Sequence, residues 1–279
     1  MIFFHAGTLP GTALLHLRQF SIFGMICRLP SNIIHQHAVN VLSSATKSPK
    51  SWFWILRDLC LHYSLPHPLC LLQEPLPKDA YKKLVKKSIV TYWEQYLRTE
   101  ASPLSSLAFF KPQFMSLTKP HPLWTTAGSS PAKVAMACIQ AEMISGRYRC
   151  EQLCSKWSLK NRPGVCLINT ECSMLQEDIP HILQVCPALA PTRNKLVRFT
   201  KQYCETLSIQ ICEIVTTFCN PSSPDFCQFL LDCSVLPPVV AAVQTEGEAV
   251  LDHLFHLSRT WVYTLHKERL KRLGRWNPI

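Results

Sequence analysis

The chain has 279 residues, of which 47% are apolar and only 17% are charged, so a disordered chain is excluded and one or two packed domains are expected. Lys and Arg number 29 against 18 Asp and Glu, and the resulting net charge of +11 favours polyanionic partners. Fourteen cysteines are too few in a chain of this length for a disulfide scaffold.

The apolar opening of the chain is interrupted by Pro10, His16 and Arg18, and no run of about 18 uninterrupted apolar residues occurs. A basic region followed by a small-residue cleavage site is also missing from the start. We therefore expect an intracellular protein, in the cytoplasm or the nucleus, with no membrane partner. Its thiols are expected to be reduced, and either buried or bound to metal.

The first predicted elements are helices. Apolar residues recur at helical spacing over residues 12–29, 32–45, 48–65 and 78–101. In the third helix the buried face is expected to carry Trp52, Ile55, Leu56 and Leu59. One side of the fourth helix carries four lysines, at positions 82, 83, 86 and 87, for which a solvated face is the simpler interpretation. Residues 1–101 are therefore predicted to form one helical segment.

The middle of the chain changes character. Residues 102–131 contain five prolines and show no sustained periodicity, which predicts a Pro-rich linker. Ser129 or Ser130 can cap a following helix that has Pro131 in its first turn. Residues 132–190 then include most of the chemically distinctive residues. Residues 191–279 are predicted to form a C-terminal helical region, and no strand alternation is visible, so the fold class is mainly α.

A basic and aromatic run, RYRCEQLCSKW, occupies residues 147–157. Cations that neutralise phosphates, next to rings that stack on bases, are typical of single-stranded nucleic-acid binding. The candidate RNA-binding or DNA-binding residues are Arg147, Tyr148, Arg149, Lys156, Trp157 and Lys160. The alternative is a solvated basic face with Tyr148 and Trp157 in the core. A second basic run, KERLKRLGRW at 267–276, either contacts phosphates or simply places cations at a helix C-terminus.

Three cysteines and one histidine fall within twenty-two residues, in CLINTECSMLQEDIPHILQVCP. Cys166, Cys172, His181 and Cys186 supply the four sulfur and nitrogen ligands of a tetrahedral structural Zn²⁺ site. A short helix over residues 177–185 is expected to set His181 and Cys186 near its exposed side. The spacing leaves alternatives open, because the first gap is long and Cys150 and Cys154 compete for a ligand position. A catalytic zinc is disfavoured, since Glu177 is the only close carboxylate available as a general base.

Several phrases in order along nearly the whole chain resemble the C-terminal portion of reverse transcriptases from animal non-LTR (LINE-type) retrotransposons. They include LLHLRQFSIFGMICRLP, WFWILRDLCLHYSLPHPL, MISGRYRCEQLCSKWS and LDHLFHLSRTWVYTLHKERLKRLGRW. In that family a Cys-Cys-His-Cys zinc-binding motif follows the polymerase domain. The resemblance places its ligands on Cys166, Cys172, His181 and Cys186. The family usually has a shorter first gap between its cysteines.

The resemblance also implies what this chain does not do. The family's polymerase palm carries paired metal-binding aspartates in a Tyr-x-Asp-Asp turn, and no Asp-Asp dipeptide occurs in this sequence. The resemblance therefore places the chain after the palm, with residues 1–101 as a thumb-like or connecting segment. We expect a non-catalytic nucleic-acid-binding fragment with one structural zinc.

Two alternatives remain at this point. In the first, the chain is a helical module for structure or protein interaction, and its apolar first helix docks on a polymerase palm or another protein. Phe20, Ile22, Phe23, Met25 and Ile26 make that helix apolar on most sides. In the second, the chain is a decayed fragment that folds poorly, which a cooperative melt would exclude.

Overall fold

The computed structural model describes residues 2–44, 51–157, 164–168, 172 and 174–275. The structure is 71% helical, and the described residues form no strand apart from an isolated bridge between Val165 and Gln176. The prediction of a mainly α fold with a small cysteine-rich insert is confirmed. The chain divides into two compact units: unit 1 is Met1–Ala101 with Ser116–Pro120, and unit 2 is Ser102–Met115 with His121–Ile279.

Unit 1 contains helices α1 to α6, which span Ile2–Ala6, Gly11–Cys27, Ile33–Ser43, Trp52–His62, Pro68–Gln73 and Lys78–Ala101. Its core is formed by side chains from α2 to α6, and the Tyr81 hydroxyl of α6 donates to the Phe20 carbonyl of α2 at 3.0 Å. Gly24 permits this close approach, because a Cβ there would lie 2.3 Å from Cε1 of Tyr81. The same helix keeps Leu15, Ile22 and Met25 exposed.

Two details of unit 1 test the predicted faces. On α4 the buried side chains are those of Phe53, Trp54, Leu56 and Cys60, whereas Ile55 is 45% exposed. Leu56 is buried as predicted and Trp52 and Leu59 pack against the core, whereas the prediction for Ile55 was wrong, because several apolar stripes are possible on a helix this rich in apolar residues. On α6 the side chains of Tyr81, Val85 and Ile89 are buried and the four lysines are exposed, as expected.

The Pro-rich segment 102–131 has more structure than a linker requires. It forms 3₁₀ turns at Ser105–Leu107 and Pro112–Phe114 and the short helix α7 at Pro122–Thr125. Leu107, Phe110 and Leu123 are buried. The segment is divided between the units, because residues 116–120 belong to unit 1 and the residues on both sides belong to unit 2.

Unit 2 continues with α8 to α14, which span Pro131–Ile144, Glu151–Trp157, Ala190–Cys204, Ile209–Phe218, Phe226–Asp232, Pro237–Glu246 and Ala249–Arg272. The long helix α14 packs against α8, α10, α12 and α13 and forms the centre of the core. Trp261 is fully buried there and donates its indole N–H to the Thr200 hydroxyl at 2.9 Å. The predicted regions 132–190 and 191–279 thus lie in one compact unit.

Among the described residues, no single helix is long and apolar enough to cross a membrane. The bent pair Phe226–Val235 and Pro237–Glu246 passes that test on length and composition alone. Nearly all of Phe226–Val235 is buried inside unit 2.

Candidate metal centre

The cysteine and histidine cluster converges on one point. The three Sγ atoms and a ring nitrogen of His181 all lie within 4.8 Å of one another, and all four residues are buried. Cys186 Sγ lies 3.9 Å from Cys166 Sγ and 4.0 Å from Cys172 Sγ. A tetrahedral zinc with Zn–S bonds of 2.3 Å would separate two sulfurs by about 3.8 Å. The four residues can therefore hold a metal ion without rearrangement of the backbone.

The first two cysteines lie in a short hairpin. The Cys166 N–H donates to the Leu175 carbonyl at 2.9 Å, and the Glu177 N–H donates to the Gly164 carbonyl at 3.1 Å. Gly164 has a φ of +70°, where a side chain is strained, and a Cβ there would lie 2.9 Å from the Ser155 hydroxyl oxygen. The hairpin therefore depends on glycine at its entry. We name the described residues between 164 and 177 the metal hairpin.

The other two ligands are positioned by one turn of π-helix, His181–Val185. His181 begins this turn and Cys186 immediately follows it. The Cys186 N–H donates to the His181 carbonyl at 2.7 Å, and the His181 N–H is capped by Asp178 Oδ1 at 2.8 Å. Single π turns are frequent at functional sites, because the extra residue redirects side chains. The expectation that His181 and Cys186 face solvent was wrong, since His181 is 5% exposed and Cys186 fully buried. The π turn directs both residues into unit 2.

Burial shifts ionisable groups of the cluster toward their neutral forms. Burial lowers the pKa of His181, which favours the neutral imidazole that binds metals. Its Nε2 is buried and has no hydrogen-bond partner among the described residues. Burial, followed by the neighbouring Cys166 and Cys186 thiols, raises the pKa of Cys172 to about 12. Three thiolates at this spacing repel one another, so a divalent cation is the natural counter-charge.

Arg193, three residues into α10, lies against the cluster and was not predicted. It is 6% exposed, and its Nη2 donates to the Cys186 carbonyl. Its Nη1 is buried without a hydrogen-bond partner among the described residues. Three thiolates, one neutral imidazole and one divalent cation leave one net negative charge, which the guanidinium can offset. The sequence signal is an arginine seven residues after the last ligand.

A buried ion pair connects the metal hairpin to α14. Arg269 Nη2 donates to Glu177 Oε1, and both side chains are at least 98% buried. The same Glu177 oxygen accepts the Glu151 N–H at the start of α9 at 2.9 Å. Glu177 is therefore a structural acceptor with two donors, and its inaccessibility removes it as a general base for catalysis.

The predicted nucleic-acid-binding residues separate into three groups. The first group is exposed. It consists of Arg147 and Arg149, which precede α9, and Lys156, which lies on α9. Tyr148 is only 2% exposed, its hydroxyl is 2.9 Å from Nδ1 of His266, and it belongs to the core, the alternative that the sequence left open. Trp157 ends α9, but its side chain lies outside the described residues, as does Lys160.

No family model, no curated protein and no solved structure matches this chain. The class of protein is therefore defined by the fold and the site alone. It is a mainly helical protein that carries a buried Cys₃His cluster able to hold a metal ion.

Proposed function

We propose that the Cys₃His cluster binds one structural Zn²⁺ and that unit 2 binds nucleic acid through the basic surface beside it. The single observation that carries the proposal is the convergence of four buried soft and borderline ligands at tetrahedral spacing. Closed Cys₃His sites are typical of structural zinc, whereas a catalytic zinc keeps one position open for water.

Zinc fits the donor set better than other divalent cations. Thiolate and imidazole ligands favour zinc over Mg²⁺ or Ca²⁺, which prefer oxygen. The site is buried, and the hydrogen bond from Arg193 to the Cys186 carbonyl helps to hold this ligand in position, as partners of metal ligands commonly do. The resemblance to LINE-type reverse transcriptases supports the same ligand set and the same metal.

The metal would act by positioning. The Gln152 N–H donates to the Glu177 carbonyl at 3.1 Å, so the metal hairpin is hydrogen-bonded to the first turn of α9. Arg147 and Arg149 immediately precede that turn and are exposed. A metal that closes the hairpin would therefore fix the backbone that presents both arginines. Their charge, together with the net charge of +11, favours phosphate contacts without any catalytic role.

Zinc binding is tested by metal analysis of the purified full-length protein. We expect one zinc per chain, and we expect loss of that zinc in Cys186→Ser. Cys219→Ser is the matched control, because Cys219 is also a buried thiol but lies outside the cluster. Equal zinc content in Cys186→Ser and the wild type would refute this ligand set.

Nucleic-acid binding is tested by titrating labelled single-stranded RNA and DNA across a salt series. We expect affinity to fall steeply with salt, with a slope of about −0.7 per phosphate contacted. Arg147→Gln/Arg149→Gln should weaken binding and reduce that slope. No binding by the wild type at about 50 mM salt would refute the proposal.

Protein interaction is the second candidate function, and the apolar surface of α2 favours it. Leu15, Ile22 and Met25 are each about half exposed, which is unusual for three large apolar residues on one helix. By the resemblance, the partner would be a polymerase palm. Ile22→Glu/Met25→Glu should abolish an interaction made by α2 and leave nucleic-acid binding unchanged.

A further inference from the structure

The two basic runs, separated by more than a hundred residues in the sequence, meet in unit 2. Arg269 Nη2 donates to the Arg149 carbonyl at 3.2 Å. Arg275 Nη1 lies 3.5 Å from Oε1 of Glu151, the first residue of α9. The C-terminal end of α14 is therefore packed on the segment that carries Arg147 and Arg149.

The contact between these two segments is built from buried groups. Arg269 lies with its guanidinium carbon 5.5 Å from the Tyr148 ring centroid, in a cation–π arrangement. Its partner Glu177 is fully buried and also accepts the Glu151 N–H. One carboxylate thus connects the metal hairpin, the start of α9 and the end of α14. Such a desolvated, hydrogen-bonded pair holds a single geometry better than exposed ion pairs do.

Four arginines surround this contact, and two of them, Arg147 and Arg149, have no ion pair among the described residues, whereas Arg272 and Arg275 are each paired with one glutamate. Arg147, Arg149, Arg272 and Arg275 are exposed. Glu177 is already paired with Arg269, and the buried carboxylate of Glu151 forms a long ion pair of 3.5 Å with the half-exposed Arg275, which leaves part of that guanidinium open to solvent. Glu268 pairs with Arg272 at the surface, where such a pair is weak and easily exchanged for a phosphate. The result is a positive surface formed by the segment before α9 and by the C-terminal end of α14.

We infer that the C-terminal end of α14 forms the second half of the nucleic-acid-binding surface, with Arg272 and Arg275 contacting the phosphate backbone beside Arg147 and Arg149. The Glu177–Arg269 pair holds the two halves together and connects them to the metal hairpin. This inference rests on the proposed function and extends it to one continuous surface formed by both basic runs.

The test uses the zinc-loaded full-length protein and a labelled single-stranded oligonucleotide of about 16 nucleotides, as RNA and as DNA. Arg272→Gln/Arg275→Gln should lower affinity about tenfold at 0.1 M salt and reduce the salt slope by about 1.4, the value for two phosphate contacts. The matched control is Lys195→Gln/Arg198→Gln, which removes the same charge from exposed positions on α10. The control should change affinity by less than about threefold.

The outcomes separate the two proposals. No binding by the wild type overturns the proposed function, and this inference with it. Wild-type binding with an unchanged salt slope in Arg272→Gln/Arg275→Gln overturns the inference alone, as does an equal loss in the control. A Glu177→Gln protein that keeps zinc should also bind more weakly, and wild-type affinity in that protein would overturn the role of the Glu177–Arg269 pair.

Discussion

At the residue scale, the stability of the metal centre depends on the balance of buried charges as much as on the ligands themselves. The four ligand side chains are buried, and a buried net charge is costly unless a counter-charge lies close to it. Burial lowers the pKa of Arg193, while the neighbouring Cys186 opposes that shift. The guanidinium is therefore buried beside the Cys186 backbone at an energetic cost, which a negatively charged metal site would offset.

Arg193→Gln should weaken zinc binding by about 10- to 100-fold, the usual effect of losing a supporting partner of a metal ligand. The reason is loss of both the compensating charge and the hydrogen bond to the Cys186 carbonyl. Competition with a chromophoric chelator measures the affinity. Arg193→Lys, which keeps the charge, should recover part of the loss, and identical affinity in all three proteins would contradict the charge argument.

A second residue-scale prediction concerns acid sensitivity. Burial, followed by the nearby Arg269 charge, lowers the pKa of His266 from 6.5 to about 4. The unfolded chain binds this proton more readily than the folded chain, so its contribution to stability is complete above pH 6.5 and is lost as the pH falls toward 4. In His266→Gln the free energy of unfolding should depend less steeply on pH between 4 and 6.5. The number of protons taken up on unfolding should fall by up to one.

Urea unfolding at a series of pH values measures this dependence. The exposed His253, which also contacts a tyrosine hydroxyl, supplies the matched control His253→Gln. The control should keep the wild-type slope. A wild-type slope in His266→Gln as well would show that the buried imidazole does not exchange its proton on unfolding.

At the element scale, helix contacts in unit 1 depend on one missing side chain. Gly24 lies inside α2, where alanine would normally stabilise the helix by about 1 kcal/mol. Here the added methyl would approach the Tyr81 ring to 2.3 Å, and the close packing around this ring leaves it little room to move. Steric fit therefore outweighs helix propensity at this position.

Gly24→Ala should destabilise unit 1 by about 2 kcal/mol, within the usual cost of overpacking a core. Gly11→Ala is the matched control, since Gly11 begins the same helix and a Cβ there meets nothing within 4 Å. Denaturant unfolding measures the change in stability, and hydrogen exchange in α2 and α6 shows where the change occurs. A Gly24→Ala protein as stable as Gly11→Ala would mean that Tyr81 moves aside freely.

At the scale of the whole molecule, the candidate centre belongs to one unit. All four ligands, Arg193 and the Glu177–Arg269 pair lie in unit 2. A ligand that binds only the folded state stabilises it in proportion to the logarithm of its concentration. Zinc is therefore expected to stabilise the unit whose chain it closes.

Removal of zinc by a chelator should lower hydrogen-exchange protection in the metal hairpin, the first turn of α9 and the end of α14. Protection of α2 and α6, which contribute to the core of unit 1, should stay the same. Exchange measured by mass spectrometry resolves these segments. Equal loss of protection in both units, or no loss in either, would contradict a zinc site confined to unit 2.

The sequence by itself determined the helical class, the exposed lysine face of α6 and the four residues of the cluster, because periodicity and ligand type are local properties. It wrongly placed Ile55 on the buried face of α4 and could not choose between core and surface for Tyr148. It also gave no reason to select Arg193 or Arg269. Those choices depend on which groups meet across long separations, and only the tertiary structure brings α14 against the metal hairpin.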